Sequence, residues 1–176
     1  MPELFLRAAA KEDIPRLNSL VNSAYRGISS KAGWTTEADF LEGIRVNEEG
    51  LGKMLNEKNA VILVGLRDEN IIACVFLQKL ENNLYLGMLT VAPGLQDQGY
   101  GKLLLQAAEK QASKWECAAI VMNVITLRKE LINWYERHGY HITPERKPFP
   151  KDPRFGIPKQ ELEFLVMKKE INKVAR

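Results

Sequence analysis

The chain has 176 residues, 45% of them apolar, which suits one folded domain around a single core. Its 25 basic and 22 acidic residues leave a net charge of +3, enough to admit anionic ligands but too scattered for a nucleic-acid-binding stripe. No apolar run is long enough to cross a membrane, and the Met1–Arg7 start lacks the basic and apolar regions of a signal peptide.

Cys74 and Cys117 stand far apart and fit no metal spacing, so they read as reduced core residues of a cytoplasmic protein. His138 and His141 are three apart, without acidic or cysteine partners nearby, and no metal is expected. Leu4 to Ala8 reads as a first strand. Asp13 then caps a helix, with Pro15 in its first turn. Ile14, Leu17, Val21 and Ala24 form its apolar face, and Gly27 ends it. Thr36 with Asp39 resembles a capping box, predicting a second helix from about Glu37 to Arg45. The loop before it carries Trp34, either a lid on the core or a contact for a ligand. Asn47 to Asn56 predicts a short helix, weakened by Gly50 and Gly52.

Three strands follow, Ala60–Leu66, Ile71–Leu80 and Leu84–Val91, rich in β-branched and apolar residues. Their connections are too short for parallel crossovers, so they form an antiparallel meander. A helix from about Gly99 to Trp115 carries Leu103, Leu104, Ala107 and Ala108 on one side. It leads to a strand at Ala118–Ile125, a path long enough for a right-handed parallel crossover. Lys129–His138 is a helix closed by Gly139, and Tyr140–Thr143 a short strand. Pro144 to Pro158 holds five prolines and predicts a long irregular loop. Glu161–Lys168 is the last strand.

Leu86 to Leu105 organises the rest. It runs as an apolar strand, a Pro93–Gly94 turn, and a loop whose Gly99 and Gly101 open a helix. Backbone N–H groups at such a start hold anions. Position 104 is Leu, which excludes the dinucleotide fingerprint, and no Gly-Lys-Ser/Thr follows to make a Walker loop. The string Gln96-Asp97-Gln98-Gly99-Tyr100-Gly101, after Val-x-Pro and before Lys102-Leu-Leu, resembles the acetyl-CoA motif of the GNAT superfamily of N-acetyltransferases. The family's element order also matches the order read above over nearly the whole chain. A second family signature, an apolar helix ending in Tyr-x-x-x-Gly-aromatic, is similar to Tyr135 through Gly139 and Tyr140.

The resemblance implies an α/β fold: a single mixed, mostly antiparallel sheet of six or seven strands flanked by helices. It implies one domain over residues 1–176, with a core of about 4–169. It implies acetyl-CoA as cosubstrate, with Gln96, Asp97, Gln98, Gly99, Tyr100, Gly101 and Lys102 at the pyrophosphate. The pantetheine arm would follow the backbone of Leu89, Thr90 and Val91, in a gap between that strand and the one through Val124. Tyr135 would be the general acid for the departing thiolate. Many members carry an asparagine seven residues before this tyrosine; here Arg128 stands there, a candidate for a longer-range phosphate contact.

The strand before the motif offers no carboxylate to deprotonate an amine. By the family's topology Glu37 and Asp39 are the nearest candidates for the base, Glu37 first, although both also suit a helix start, and water relayed to the solvent is an equal alternative. Trp34, Phe149 and Arg154 are candidates for the acceptor pocket, with Arg154 suited to a carboxylate. The leading expectation is an enzyme that acetylates the primary amine of a small molecule, acting as a monomer or homodimer, without nucleic acid or membrane. Acetylation of protein lysines or N-termini is the first alternative. A non-catalytic acyl-CoA sensor is the second.

Overall fold

A computed structural model describes residues 3–26, 37–38, 41–153 and 156–171. The chain opens with β1 (Phe5–Ala8), a single 3-10 turn, α1 (Ile14–Tyr25), β2 (Leu41–Glu42) and α2 (Glu48–Leu55). The meander follows as β3 (Ala60–Arg67), β4 (Asn70–Leu80) and β5 (Asn83–Val91). Then come α3 (Tyr100–Lys114), β6 (Ala119–Ile125), α4 (Lys129–Arg137), β7 (His141–Pro148), β8 (Ile157–Pro158) and β9 (Glu163–Glu170). Seven strands form one sheet in the order β1-β3-β4-β5-β6-β9-β7, while β2 and β8 pair separately. Among the described residues only β5 and β6 run parallel, which the length of the α3 crossover permits.

Helices cover both faces of the sheet. On β4, Cys74 and Phe76 join Leu17, Val21 and Leu51 of α1 and α2, whereas Val75 and Leu77 join Leu104, Ala108 and Ile132 of α3 and α4. Period-two alternation with both faces buried explains the strand's unbroken apolar run. Leu17, Leu51, Leu77 and Leu104 are fully buried. Each such leucine contributes about 1.5–3 kcal/mol by leaving water.

Four expectations need correction. Residues Leu41–Glu42 are strand, not helix, and they pair with Ile157–Pro158. Leu41 packs with Ile125 and Leu162, a long-range contact that outweighs the local helix pattern. Asp13 precedes α1 but does not cap it: its carboxylate turns back to the Ala10 N–H, Arg7 and Arg16. The proline-rich segment is partly regular, because β7 extends to Pro148. As an edge strand with a register shift between Ile142 and Arg146, it tolerates prolines that a central strand would not. Finally, β9 begins two residues later than predicted. Gly27, Thr36 and Asp39 lie outside the described residues.

Candidate active site

Two features open the middle of the sheet. β5 and β6 pair only at Asn83–Ala119, Leu84–Ile120 and Tyr85–Val121, and separate beyond. Opposite, the β4–β5 register shifts between Cys74 and Phe76, with Met88 at φ +55°. A non-glycine residue in that region marks a β-bulge that bends the strand. Thr90 turns its fully buried side chain into the core, donating to the Met88 carbonyl at 2.9 Å.

The first cavity, about 260 Å³, lies at the start of α3 and is lined by Leu89, Val91, Gln96, Asp97, Gly99, Tyr100, Gly101 and Lys102. Gln96 closes the loop by donating to the Val91 carbonyl at 3.1 Å. Gly99, at φ +88°, makes the left-handed turn into the helix, which a Cβ would strain. At Gly101 a Cβ would meet the Trp134 ring at 3.0 Å, so glycine sets the closeness of α3 to α4. Free N–H groups at a helix start, the dipole and Lys102 in the first turn suit a pyrophosphate. Gln98 is exposed and lies outside the lining. Trp134 and His138 line this cavity too, unforeseen from sequence. The Nδ1–H of His138 reaches the Trp134 carbonyl at 2.8 Å, and the two rings pack at 4.4 Å. His141 instead faces Glu170 at 3.7 Å, so the histidine pair does not converge.

The second cavity, about 380 Å³, occupies the gap between β5 and β6. Leu89 lines both cavities and marks their junction. Tyr135 lines the second, and no described residue hydrogen-bonds its hydroxyl. Burial pushes its proton affinity well above the usual phenol value, so it is protonated at neutral pH. Phe149 joins the lining, packed on Phe164 at 5.3 Å between ring centres.

Glu37 also lines this cavity, with both of its oxygens facing arginines. Arg26 donates to its Oε1 at 3.0 and 2.7 Å, and Arg128 approaches Oε2 at 3.4 Å. All three side chains are buried. The structure therefore does not bring Arg128 to the phosphate loop: it stands at the opposite end, also 5.7 Å from the Tyr25 ring centre. Tyr25, Arg26 and Arg45 complete this end of the cavity. Sequence reasoning missed all three, since the only local signal was a Tyr-Arg pair ending an amphipathic helix. Trp34 and Arg154 lie outside the described residues.

A splayed parallel strand pair, a bulge beside it and a glycine-turned helix start together define an acyl-CoA-dependent acyltransferase fold. The profile of the Acetyltransferase (GNAT) family matches residues 17–140, and the chain belongs to that family. Among solved structures, the Escherichia coli ribosomal-protein-S18-alanine N-acetyltransferase is similar at 14% identity and TM-score 0.73, covering 99% of this chain and 97% of that one. The PaiA N-acetyltransferase of Thermoplasma acidophilum, in complex with coenzyme A, shares 17% identity at TM-score 0.70, covering 96% and 99%. A GNAT acetyltransferase of Streptococcus pneumoniae shares 20% at TM-score 0.67, covering 97% and 100%. No curated protein sequence matches the chain significantly. No helix among the described residues is long and apolar enough to cross a membrane.

Proposed function

We propose that this acyltransferase moves an acetyl group from acetyl-CoA to the primary amine of a small molecule by direct attack with both substrates bound. The observation that carries this reading is the meeting of the two cavities at Leu89. One suits the pyrophosphate, and the other is an aromatic-lined space beside Tyr135. A volume of about 380 Å³ is in the range of small-ligand pockets. Bound acetyl-CoA would supply an activated thioester. Gln96, Asp97, Gly99, Tyr100, Gly101 and Lys102 would hold its phosphates, and the backbone of Leu89, Thr90 and Val91 would line its arm. Tyr135 would give its proton to the sulfur as the C–S bond breaks.

The amine must first lose a proton. Both Glu37 oxygens are engaged by arginines, and no other carboxylate lines the cavity among the described residues. Water therefore takes the proton, while surrounding guanidinium groups disfavour the ammonium form. Most of the acceleration then comes from holding the two reactants together. Buried free Cys74 and Cys117 fit a reducing, cytoplasmic setting.

The test is thiol release from acetyl-CoA with a panel of small amines and peptides. Turnover with small amines above that with peptides supports the reading. Turnover confined to peptides overturns the small-molecule acceptor, and coenzyme A binding without any thiol release overturns the enzyme.

A further inference from the structure

We propose that His138 binds the pyrophosphate of coenzyme A through Nε2, and only as an imidazolium, so that coenzyme binding draws a proton from solvent onto the ring. This rests on the acetyl-CoA reading above. His138 lines the first cavity together with Gly99, Gly101 and Lys102, and reaches it from the residue that follows the last turn of α4. Its ring is held in place. Nδ1 lies 2.8 Å from the Trp134 carbonyl, and the ring packs on the Trp134 indole at 4.4 Å between centres. That indole in turn stands against α3 where Gly101 has no Cβ. Lys169 of β9 donates to the His138 carbonyl at 3.0 Å and so fixes the backbone. A side chain fixed this way is preorganised for a ligand.

The hydrogen bond at Nδ1 decides what Nε2 can do. A carbonyl only accepts, so Nδ1 carries a proton whether the ring is neutral or charged. In the neutral ring Nε2 is then a lone pair, and no described residue hydrogen-bonds it. A pyrophosphate oxygen is an acceptor too, and two acceptors face each other unfavourably. A proton on Nε2 converts that pair into a charge-assisted hydrogen bond. Around the ring, Asp97, Tyr100 and Lys102 line the same cavity, Lys169 sits at the carbonyl side, and Glu109 of α3 pairs with Lys169. Glu136 and Arg137 precede it on α4. Carboxylates, phenols, lysines and arginines do not ordinarily titrate between about pH 6 and pH 8, whereas an imidazole does. A proton taken up in that range on binding therefore has His138 as its seat.

The experiment uses 3′-dephospho-coenzyme A, because the 3′-phosphate monoester of coenzyme A itself titrates near about 6. Titration calorimetry from about pH 6 to about pH 8, in buffers of different protonation enthalpy, reads affinity and proton uptake together. Kd should rise by about tenfold across that range, the size of one charge-assisted contact, with net proton uptake near neutral pH. In H138Q, whose amide donates without titrating, Kd should be flat with pH and the uptake lost. Nuclear magnetic resonance of the wild type supplies a measurement that needs no variant at this position. The chain has two histidines. The titration midpoint of His138 should rise on binding, and that of His141, which faces Glu170 at 3.7 Å, should stay where it was. A Kd that is flat with pH in the wild type, uptake that survives H138Q, or an unmoved His138 midpoint overturns the contact and leaves the coenzyme reading standing. A pH slope seen with coenzyme A and absent with its dephospho form overturns the pyrophosphate contact as well. Failure of both forms to bind at any pH overturns the acetyl-CoA reading itself.

Discussion

The hydroxyl of Tyr25, at the last residue of α1, donates to the backbone carbonyl of Leu89, sixty-four residues on at the bulge of β5. One buried hydrogen bond thus ties the arginine-lined end of the second cavity to the point where the two cavities meet. Burial raises the proton affinity of Tyr25 to about 12, so it stays a donor throughout the neutral range. In Y25F the Leu89 carbonyl loses its partner, at a cost of about 1–3 kcal/mol in stability. Because the bulge positions the reacting end, kcat should fall while coenzyme A affinity changes little. Equilibrium unfolding and a coenzyme A titration check the two halves separately.

Tyr135 offers a sharper outcome. Its ring is held edge-on by Trp134 and Tyr140, so removing the hydroxyl leaves the packing in place. Y135F should lower kcat by about 100-fold or more, the range for loss of a general acid, with coenzyme A affinity unchanged. Its raised proton affinity also predicts no pH limb from Tyr135 below about 10, its ordinary value. A limb near neutrality that vanishes in Y135F would contradict the assignment.

Glu37 is expected to act as a counter-charge. Arg26 and Arg128 are both buried, and desolvation lowers the proton affinity of Arg26. E37Q removes a carboxylate that the two share, and breaking a buried pair this way costs about 3–5 kcal/mol. The melting temperature should drop accordingly. The acid limb of kcat/KM should survive in the folded variant and move with the pKa of the amine supplied. A limb that ignores the amine and disappears in E37Q would instead mark Glu37 as the base.

These sites differ in how visible they are along the chain. The meander, the phosphate loop and Tyr135 rest on local signals: period-two runs, short turns, and glycines at fixed offsets from a helix start. Gly99 and Gly139 have positive φ as their positions in the motifs suggest. The misread helix at 37–45 also had a local pattern, but Leu41 is bound by Ile125 and Leu162, over eighty residues away. The Arg26–Glu37–Arg128 cluster joins partners 11 and 91 residues apart, and no periodicity announces such a meeting. Arg128 was legible as a departure from the family pattern, yet only the packed structure turns it toward Glu37 and away from the phosphate loop. The arginine lining of the second cavity is thus a tertiary property.

The last prediction concerns acid stability and a residue far from the chemistry. Asp13 is buried and accepts from Arg7 at 2.7 and 3.0 Å, from Arg16 at 3.0 Å and from the Ala10 N–H at 2.7 Å. The Arg7 hydrogen bonds chiefly hold its pKa at about 2, below the ordinary 3.8. A depressed carboxylate stabilises the fold above its unfolded pKa, and the contribution is lost as pH falls through the folded value. The window therefore runs from about pH 4 down to about pH 2. With Arg7 partly exposed and screened, the contribution is roughly 1–2 kcal/mol. D13N should be less stable than the wild type by that amount at neutral pH. The gap should narrow across the window and close below it, because there the wild-type carboxyl is neutral as well. Chemical unfolding of both proteins at neutral pH and through the acid range measures it. A gap that stays constant with pH would mean that Asp13 acts through its geometry, independent of its charge.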